Sequence, residues 1–275
     1  MLKDVTVRFG YGPTDLTLSF WNSDNGYLIE DMTNLGPVKS NISKTDYADF
    51  PGSRYQSSRR GDRNIVLTLG LEPGNLLGKT VEQLREDLYR YFPMDKELEL
   101  VFTYDDPALY PKYIRCHVES ADPSIFDKDT KFVISLICPD PDFRTTYFDL
   151  YSPTHAQLLA GFTVNYAGII PVGFNLQSTL PDDLEAPYSL VCTPTGREAM
   201  TLGFNNSVRD GGLLEINTLP GERFAKFKGE SLLATMYYWS KWPVLYPGNN
   251  VIKITGTFYG TPTHQIRVHR RFGAL

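Results

Sequence analysis

The chain has 275 residues, of which 41% are hydrophobic, 13% aromatic and 21% charged, a composition that excludes a disordered chain and a disulfide-dense scaffold. Its 27 basic and 32 acidic residues give a net charge of -5, so nucleic-acid binding is disfavoured as the main function. Three scattered cysteines (Cys116, Cys138 and Cys192) without a Cys-x-x-Cys pair predict buried thiols in a reducing compartment.

The first part of the chain is predicted to be mostly β, with one helix. Strands are predicted where apolar and polar residues alternate or β-branched residues cluster, at residues 5–9, 26–30, 65–69, 98–104, 113–120 and 131–138. A helix is predicted to begin after Thr80, because Thr80 and Gln83 match the capping-box pattern. Apolar residues then repeat at helical spacing from Val81 to Tyr91, and Pro93 ends the helix.

Residues 52–63 form a local basic segment in an acidic protein. The segment has four arginines and almost no apolar side chain, so it is predicted to be an exposed loop or arm that cannot bury itself. Such an arm can pair with an acidic face of another copy, while the alternative is a solvated loop. The candidate contact residues between copies are Arg54, Arg59, Arg60 and Arg63.

The charge distribution and two prolines predict two domains. Residues 1–145 carry 17 basic and 23 acidic side chains, whereas residues 146–275 carry 10 and 9. Pro139 and Pro141 close a strand-like run and cannot continue a sheet ladder. We therefore predict a linker near residues 139–150 and domains at 1–144 and 145–275.

The second part is predicted to be an antiparallel β-sandwich or jelly roll without a helix. Short β-like segments recur between glycine, proline and asparagine, at residues 161–166, 188–193, 213–217, 223–228, 251–255 and 265–269. The uncharged run at 158–176 has the length of a membrane span, but its glycine, proline and asparagine residues disfavour a transmembrane helix. The N-terminus does not resemble a secretory signal.

The sequence gives little support for catalysis, and we predict no catalytic, cofactor-binding or metal-binding residue. The histidines form no His-x-His or His-Glu-x-x-His pattern and are interpreted as surface or strand residues. A phosphate loop and a Gly-x-Ser-x-Gly elbow are also absent from the sequence. The acid pairs Asp105/Asp106 and Asp140/Asp142 leave a weak glycoside-hydrolase alternative, but they lie beside prolines and are interpreted as solvated turn acids.

An aromatic cluster at residues 237–243 is a second binding candidate. Trp239 and Trp242 could form a platform that stacks sugar rings, although in a β-sandwich such a cluster more often belongs to the core and its rim. A carbohydrate-binding protein that recognises host cell-wall glycan is therefore the alternative function.

The order of several segments resembles the distal tail proteins of siphophages, the long-tailed bacteriophages. In the first part these are residues 26–33, Pro37-Val-Lys, the basic segment 52–63, the strand that follows it, the helix at 80–92 and the strand at 98–102. In the second part they are residues 212–218 and 239–256, which contain a Leu-x-Pro-Gly-x-Asn turn before a strand. The similarity extends over nearly the whole chain.

This resemblance implies a structural virion protein rather than an enzyme. The first domain would form a hexameric ring with a central channel, which DNA crosses only as cargo, and the second would be a galectin-like β-sandwich. The implied partners are further copies of the chain, the tail tube protein, the hub or fibre protein and receptor-binding or peripheral proteins, with no membrane and no cofactor. The implied location is the tail tip or baseplate of the virion, after assembly in the host cytoplasm.

Overall fold

The computed structural model describes residues 1–8, 15–74, 78–124 and 130–275. The chain divides into two compact units: Met1–Thr146 with Gly273–Leu275, and Tyr147–Phe272. Phe9, the last residue of the first predicted strand, lies outside the described residues.

The first unit is built on a closed barrel of seven strands. Its elements are β1 (Leu2–Arg8), β2 (Leu16–Ser19), β3 (Tyr27–Met32), β4 (Ser40–Asp46), β5 (Ser53–Arg60), β6 (Arg63–Leu71), α1 (Val81–Tyr91), β7 (Leu98–Tyr104), β8 (Lys112–Pro123), β9 (Lys131–Cys138) and the start of β10 (Phe143–Tyr151). The barrel order is β8-β7-β1-β2-β3-β6-β9, and pairing of β8 with β9 closes it.

The barrel core follows from alternation along its strands. In β6, Ile65, Leu67 and Leu69 are fully buried while the residues between them are not, as period-two patterning requires. The predicted helix α1 has its predicted capping box at Thr80 and buries Leu84 and Leu88. The prediction of a mainly β protein is confirmed.

The basic segment is part of a separate two-stranded ribbon, which we call the arm (residues 39–60). β4 and β5 pair only with each other, and every residue of both strands is exposed. At the tip, the Tyr47 N–H donates to the Gly52 carbonyl over 3.2 Å, and Gly52 takes a positive φ of 119°, which glycine adopts without steric cost. The predicted exposure is thus observed, but the loop interpretation is wrong because residues 53–60 pair with residues 40–46.

The second unit is a β-sandwich with one core. Its further elements are α2 (His155–Ala160), β11 (Phe162–Tyr166), β12 (Asn175–Leu180), β13 (Leu184–Pro194), β14 (Met200–Phe204), β15 (Gly212–Asn217), β16 (Phe224–Phe227), β17 (Glu230–Ser231), a 3-10 turn (Leu233–Thr235), β18 (Gly248–Phe258) and β19 (Thr263–Phe272). One antiparallel sheet has the order β11-β18-β13-β14, and the other contains β17-β16-β15-β12-β19. Buried residues of both sheets meet in one cluster.

The Leu-x-Pro-Gly-x-Asn turn has a clear physical cause. The Asn250 side chain is fully buried, and its Nδ2 donates to the carbonyls of Tyr246 and Gly248 over 2.8 Å each. Its Oδ1 accepts the Tyr246 N–H, also over 2.8 Å. Asn250 therefore satisfies the polar backbone of the turn that leads into β18, as a buried turn requires.

The prediction that the second part has no helix is wrong. α2 begins at Thr154, whose side chain caps the N–H of Gln157 while the Gln157 side chain accepts from the Thr154 N–H. The uncharged run at 158–176, where the sequence disfavours a transmembrane helix, contains the end of α2, all of β11 and the start of β12 and is not one continuous helix. Within the described ranges, no helix is long and apolar enough to cross a membrane.

Candidate interaction surfaces

Arg63 lies inside the first unit, whereas the sequence suggested it as a surface contact. Its residue is 1% exposed, and its guanidinium donates to the backbone carbonyls of Pro141 (2.8 Å), Gly36 (2.6 Å), Gly273 (2.7 Å) and Asn34. The same group lies 4.6 Å from the centre of the Phe143 ring. Burial lowers the pKa of the Arg63 guanidinium. Arg63 is thus an internal anchor with no surface to offer another copy.

Arg60 is bound to its own chain at the base of the arm. Its guanidinium makes a two-pronged ion pair with Asp142, with 2.8 Å between Nη2 and Oδ2. Asp142 is 2% exposed, so its interpretation as a solvated turn acid is wrong. The neighbouring Asp140 binds Arg144 over 2.9 Å. Since each carboxylate of this pair holds an arginine, the two are arranged as structural partners and not as an acid and a base facing one cleft.

Arg54 and Arg59 remain available on the arm, together with an apolar surface. Both arginines are exposed. The rings of Tyr47 and Phe50 stack at the tip with their centroids 4.3 Å apart, although the two residues are 43% and 59% exposed. The described part of the chain therefore leaves a ribbon that is both basic and aromatic in contact with solvent.

The two candidate glycan-binding tryptophans differ in their surroundings. Trp239 is 47% exposed and stacks on Tyr237 with centroids 4.9 Å apart. Trp242 is half-buried against the core, and the Arg223 guanidinium lies 5.8 Å from its ring centre. Tyr238, which precedes Trp239, is 99% exposed. The most accessible aromatic surface is therefore Tyr238 with Trp239, and not a platform of both tryptophans.

A buried histidine network in the second unit was not found from the sequence. His264 is 3% exposed; its Nδ1 lies 2.8 Å from Ser178 Oγ and its Nε2 lies 3.0 Å from His155 Nδ1. Burial, reinforced by the proximity of His155, lowers the pKa of His264 to about 4. Burial also lowers the pKa of His155. Both imidazoles are thus neutral at pH 7, and the network is a hydrogen-bonded part of the core.

The remaining candidate groups do not converge on a reaction centre. Burial raises the pKa of the Cys192 thiol to about 12, and a hydrogen bond with Cys138 together with burial raises the pKa of the Cys116 thiol. Buried protonated thiols of this kind are unreactive. Asp105 and Asp106 are exposed, and Asp106 accepts the Ala108 N–H over 2.9 Å, as in an ordinary turn. Among the described residues, no cluster of three or more ligating side chains could hold a metal.

Comparison with known proteins finds similarity to phage tail proteins. Residues 17–138 match the model of the phage tail protein RIFT-related domain. The structure of the Dit protein of phage SPP1, described as a paradigm of the hub adsorption apparatus in phages that infect Gram-positive bacteria, is similar over 96% of this chain and 98% of that one. Its TM-score is 0.69 at 13% identity.

Two structures of the phage P2 baseplate in its activated conformation are also similar. The calcium form gives a TM-score of 0.54 at 10% identity over 100% of both chains, and the strontium form gives 0.53 at 10% identity over 99% of both. No curated protein matches the sequence. The fold is similar to that of these phage tail structures, and the domain model that matches residues 17–138 is that of a phage tail protein. These findings support the resemblance to the siphophage distal tail proteins.

Proposed function

We propose that this protein is the distal tail protein of a siphophage, six copies of which form a ring that connects the tail tube to the tail tip or baseplate. The observation that carries the proposal is the similarity in fold to the SPP1 Dit protein over nearly the full length of both chains. In this proposal the first unit forms the ring and lines a channel through which DNA passes as cargo. The second unit, a galectin-like sandwich, docks the receptor-binding or other peripheral proteins.

The arm supports contact between copies. A two-stranded hairpin is marginally stable by itself in water, and no residue of β4 or β5 is covered. A ring needs a heterologous contact, in which one surface binds a different surface of the next copy. Arg54 and Arg59 supply charge for such a contact. Because Arg63 is buried and Arg60 holds Asp142, the proposed contact relies on Arg54 and Arg59.

The remaining partners follow from the position of such a ring. Its two faces would bind the tail tube protein and the hub or fibre protein, and the ring would be assembled in the bacterial cytoplasm before the virion leaves the cell. This role requires no catalytic residue, cofactor or membrane. The excess of acidic side chains in residues 1–145 suits a channel that repels the DNA backbone.

The first test is the mass of the purified full chain, by light scattering coupled to size exclusion, with negative-stain images of the same peak. Six copies of the 31.1 kDa chain have a mass of about 187 kDa. We expect a ring of that mass at high concentration or on addition of tail tubes. A strictly monomeric chain that also fails to bind tail tubes would contradict the proposal.

A charge-reversal variant tests the role of the arm within the ring. Arg54→Glu with Arg59→Glu should shift the mass toward the monomer and leave the melting temperature unchanged, because both side chains are exposed. Lys241→Glu, at an exposed position of the second unit, is the matched control and should keep the mass of the wild type. Equal masses for the two variants would remove these arginines from the interface.

Carbohydrate binding by the second unit is a second candidate, which the exposure of Tyr238 and Trp239 favours. Aromatic faces of this kind can stack on sugar rings. Titration with cell-wall polysaccharide should quench tryptophan fluorescence in the wild type and not in Trp239→Ala. Trp242→Ala is the control for a structural effect, since Trp242 packs against the core. No quenching with any polysaccharide tested would exclude this candidate.

A further inference from the structure

The first unit exposes a tryptophan that lies between two depressions. Trp21 follows β2, is 71% exposed and lines both depressions, whose volumes are about 390 and 480 Å³. The smaller one has an apolar floor that includes Phe20, Ile29 and Met32. We call this surface the Trp21 face.

The Trp21 face is acidic. Its lining includes one lysine, Lys3, and five carboxylates, from Asp4, Asp24, Glu30, Asp31 and Asp105. Three of these carboxylates lie near a cation: Glu30 near Lys131 (2.9 Å), Asp105 near the N-terminal ammonium (3.6 Å) and Asp4 near Lys3 (3.9 Å). The carboxylates still outnumber these cations by two. The surface therefore combines an apolar floor with a negative rim, and a fitting partner combines an apolar tip with positive flanks.

The arm of this same chain has that chemistry. Its tip is the stacked pair of Tyr47 and Phe50, and its strands carry Lys44, Arg54 and Arg59 on exposed positions. Over residues 39–60 there are five basic side chains against two acidic ones. A strand of seven residues spans about 23 Å, so the tip extends well beyond the barrel that carries it. Depressions of roughly 300 to 1,000 Å³ accept ligands of drug size, a class that includes two stacked rings.

We propose that the arm of one copy docks on the Trp21 face of the next copy, with Tyr47 and Phe50 against Trp21 and the arm cations against the acidic rim. This inference rests on the proposed ring and names its acceptor surface. The contact is heterologous, because each copy uses its arm on one neighbour and its Trp21 face on the other. Further copies add in the same way until the last copy binds the first and the ring closes.

Two full-length variants test the contact from its two sides. Trp21→Ala removes the acceptor and Phe50→Ser removes the apolar tip; both side chains are exposed, so both variants should fold with unchanged circular dichroism and melting. By light scattering, each variant alone should be a monomer. An equimolar mixture should form 1:1 dimers of about 62 kDa, from two copies of 31.1 kDa, because one intact arm then meets one intact acceptor. Met94→Ala, at another exposed apolar position of the first unit, should keep the mass of the wild type.

Cysteine cross-linking gives an independent readout for a weak contact. One preparation carries Asn22→Cys at the Trp21 face, and the other carries Asp49→Cys at the arm tip; the two are mixed and oxidised. The three native cysteines are buried, so they should not take part in the reaction. We expect a disulfide-linked dimer between the two preparations. The yield of this dimer should be at least tenfold lower when Asp95→Cys replaces Asn22→Cys.

The outcomes separate this inference from the proposed function. If Trp21→Ala keeps the mass of the wild-type ring and the two cysteine variants do not cross-link preferentially, the arm does not dock on the Trp21 face. The proposed ring itself is then unaffected. A wild-type chain that forms neither a ring nor the cross-link overturns both.

Discussion

The two units hold polar groups inside their cores by opposite means. The first unit buries a charge, since the Arg63 guanidinium donates to four backbone carbonyls, which cannot titrate. The second unit buries neutral groups, since burial favours the uncharged form of His264, which bonds to Ser178 and His155. The hydrogen bonds of Arg63 in the first unit are therefore independent of pH over the physiological range. The histidine network of the second unit, in contrast, is destabilised at low pH.

The largest effect is expected at Arg63. Arg63→Met leaves buried carbonyls without donors, and we expect the free energy of unfolding of the first unit to fall by about 3–5 kcal/mol. Urea unfolding followed by circular dichroism measures the loss. Arg59→Met, on the exposed arm, should stay within about 0.5 kcal/mol of the wild type. Similar losses in both variants would show that Arg63 is not the anchor of its unit.

Acid should destabilise the second unit through His264. The folded pKa of about 4 lies below the ordinary value of 6.5, so protonation favours the unfolded chain. The stability due to neutral His264 is complete above pH 6.5 and is lost as the pH falls to 4, by about 3 kcal/mol in total. The free energy of unfolding is measured for the wild type and for His264→Gln at pH 7 and at pH 4.5. The difference between the two proteins should be smaller at pH 4.5, because only the wild type loses the contribution of His264. His269→Gln serves as the control, and a difference independent of pH would contradict the prediction.

The ion pair at the base of the arm should have a smaller effect. Asp142→Asn replaces a buried carboxylate that holds Arg60, and we expect a loss of about 2 kcal/mol in the stability of the first unit. Asp140→Asn, at a carboxylate that is one-third exposed, should cost about 0.5 kcal/mol. Thermal unfolding of the two variants at one salt concentration compares them. The reverse order would mean that burial does not decide the strength of these pairs.

The smallest effects are expected at the two helix caps, which allow a like-for-like comparison of the units. Thr80→Ala and Thr154→Ala each remove a capping box and should each cost about 1 kcal/mol. Calorimetry that resolves the two units would assign each loss to its own unit. Replacing each threonine by serine keeps the capping hydroxyl and should therefore keep most of the stability. If the loss came from the missing methyl group instead, the serine variants would be destabilised as well.

The sequence predicts elements best where several local signals agree. α1 has a capping box, four apolar positions at helical spacing and a terminating proline. α2 has the same capping box, but it buries Leu158 alone in six residues, so the apolar periodicity is too short to indicate a helix. The pattern Thr-x-x-Gln at Thr154 was the signal that could have revealed it.

The candidate contact surface between copies was predicted only in part, because local sequence signals indicate exposure but not long-range contacts. Exposure of Arg54 and Arg59 follows from a segment with almost no apolar residues. The burial of Arg63 does not, because it depends on carbonyls of residues 34, 36, 141 and 273, which only the folded chain brings together. Likewise His155 and His264 are 109 positions apart. Trp21 gave no signal either, since a single tryptophan is equally compatible with a core position.

The return of residues 273–275 to the first unit has a consequence for the order of synthesis. Gly273 supplies a carbonyl to Arg63, Leu275 donates its N–H to the Leu35 carbonyl over 3.2 Å, and the Leu275 side chain packs against the barrel core. A ribosome makes these three residues after all of Tyr147–Phe272. Domains usually fold from the N-terminus as the chain emerges, but here the unit that begins first is completed last. Its final contacts form only once the sandwich has been translated.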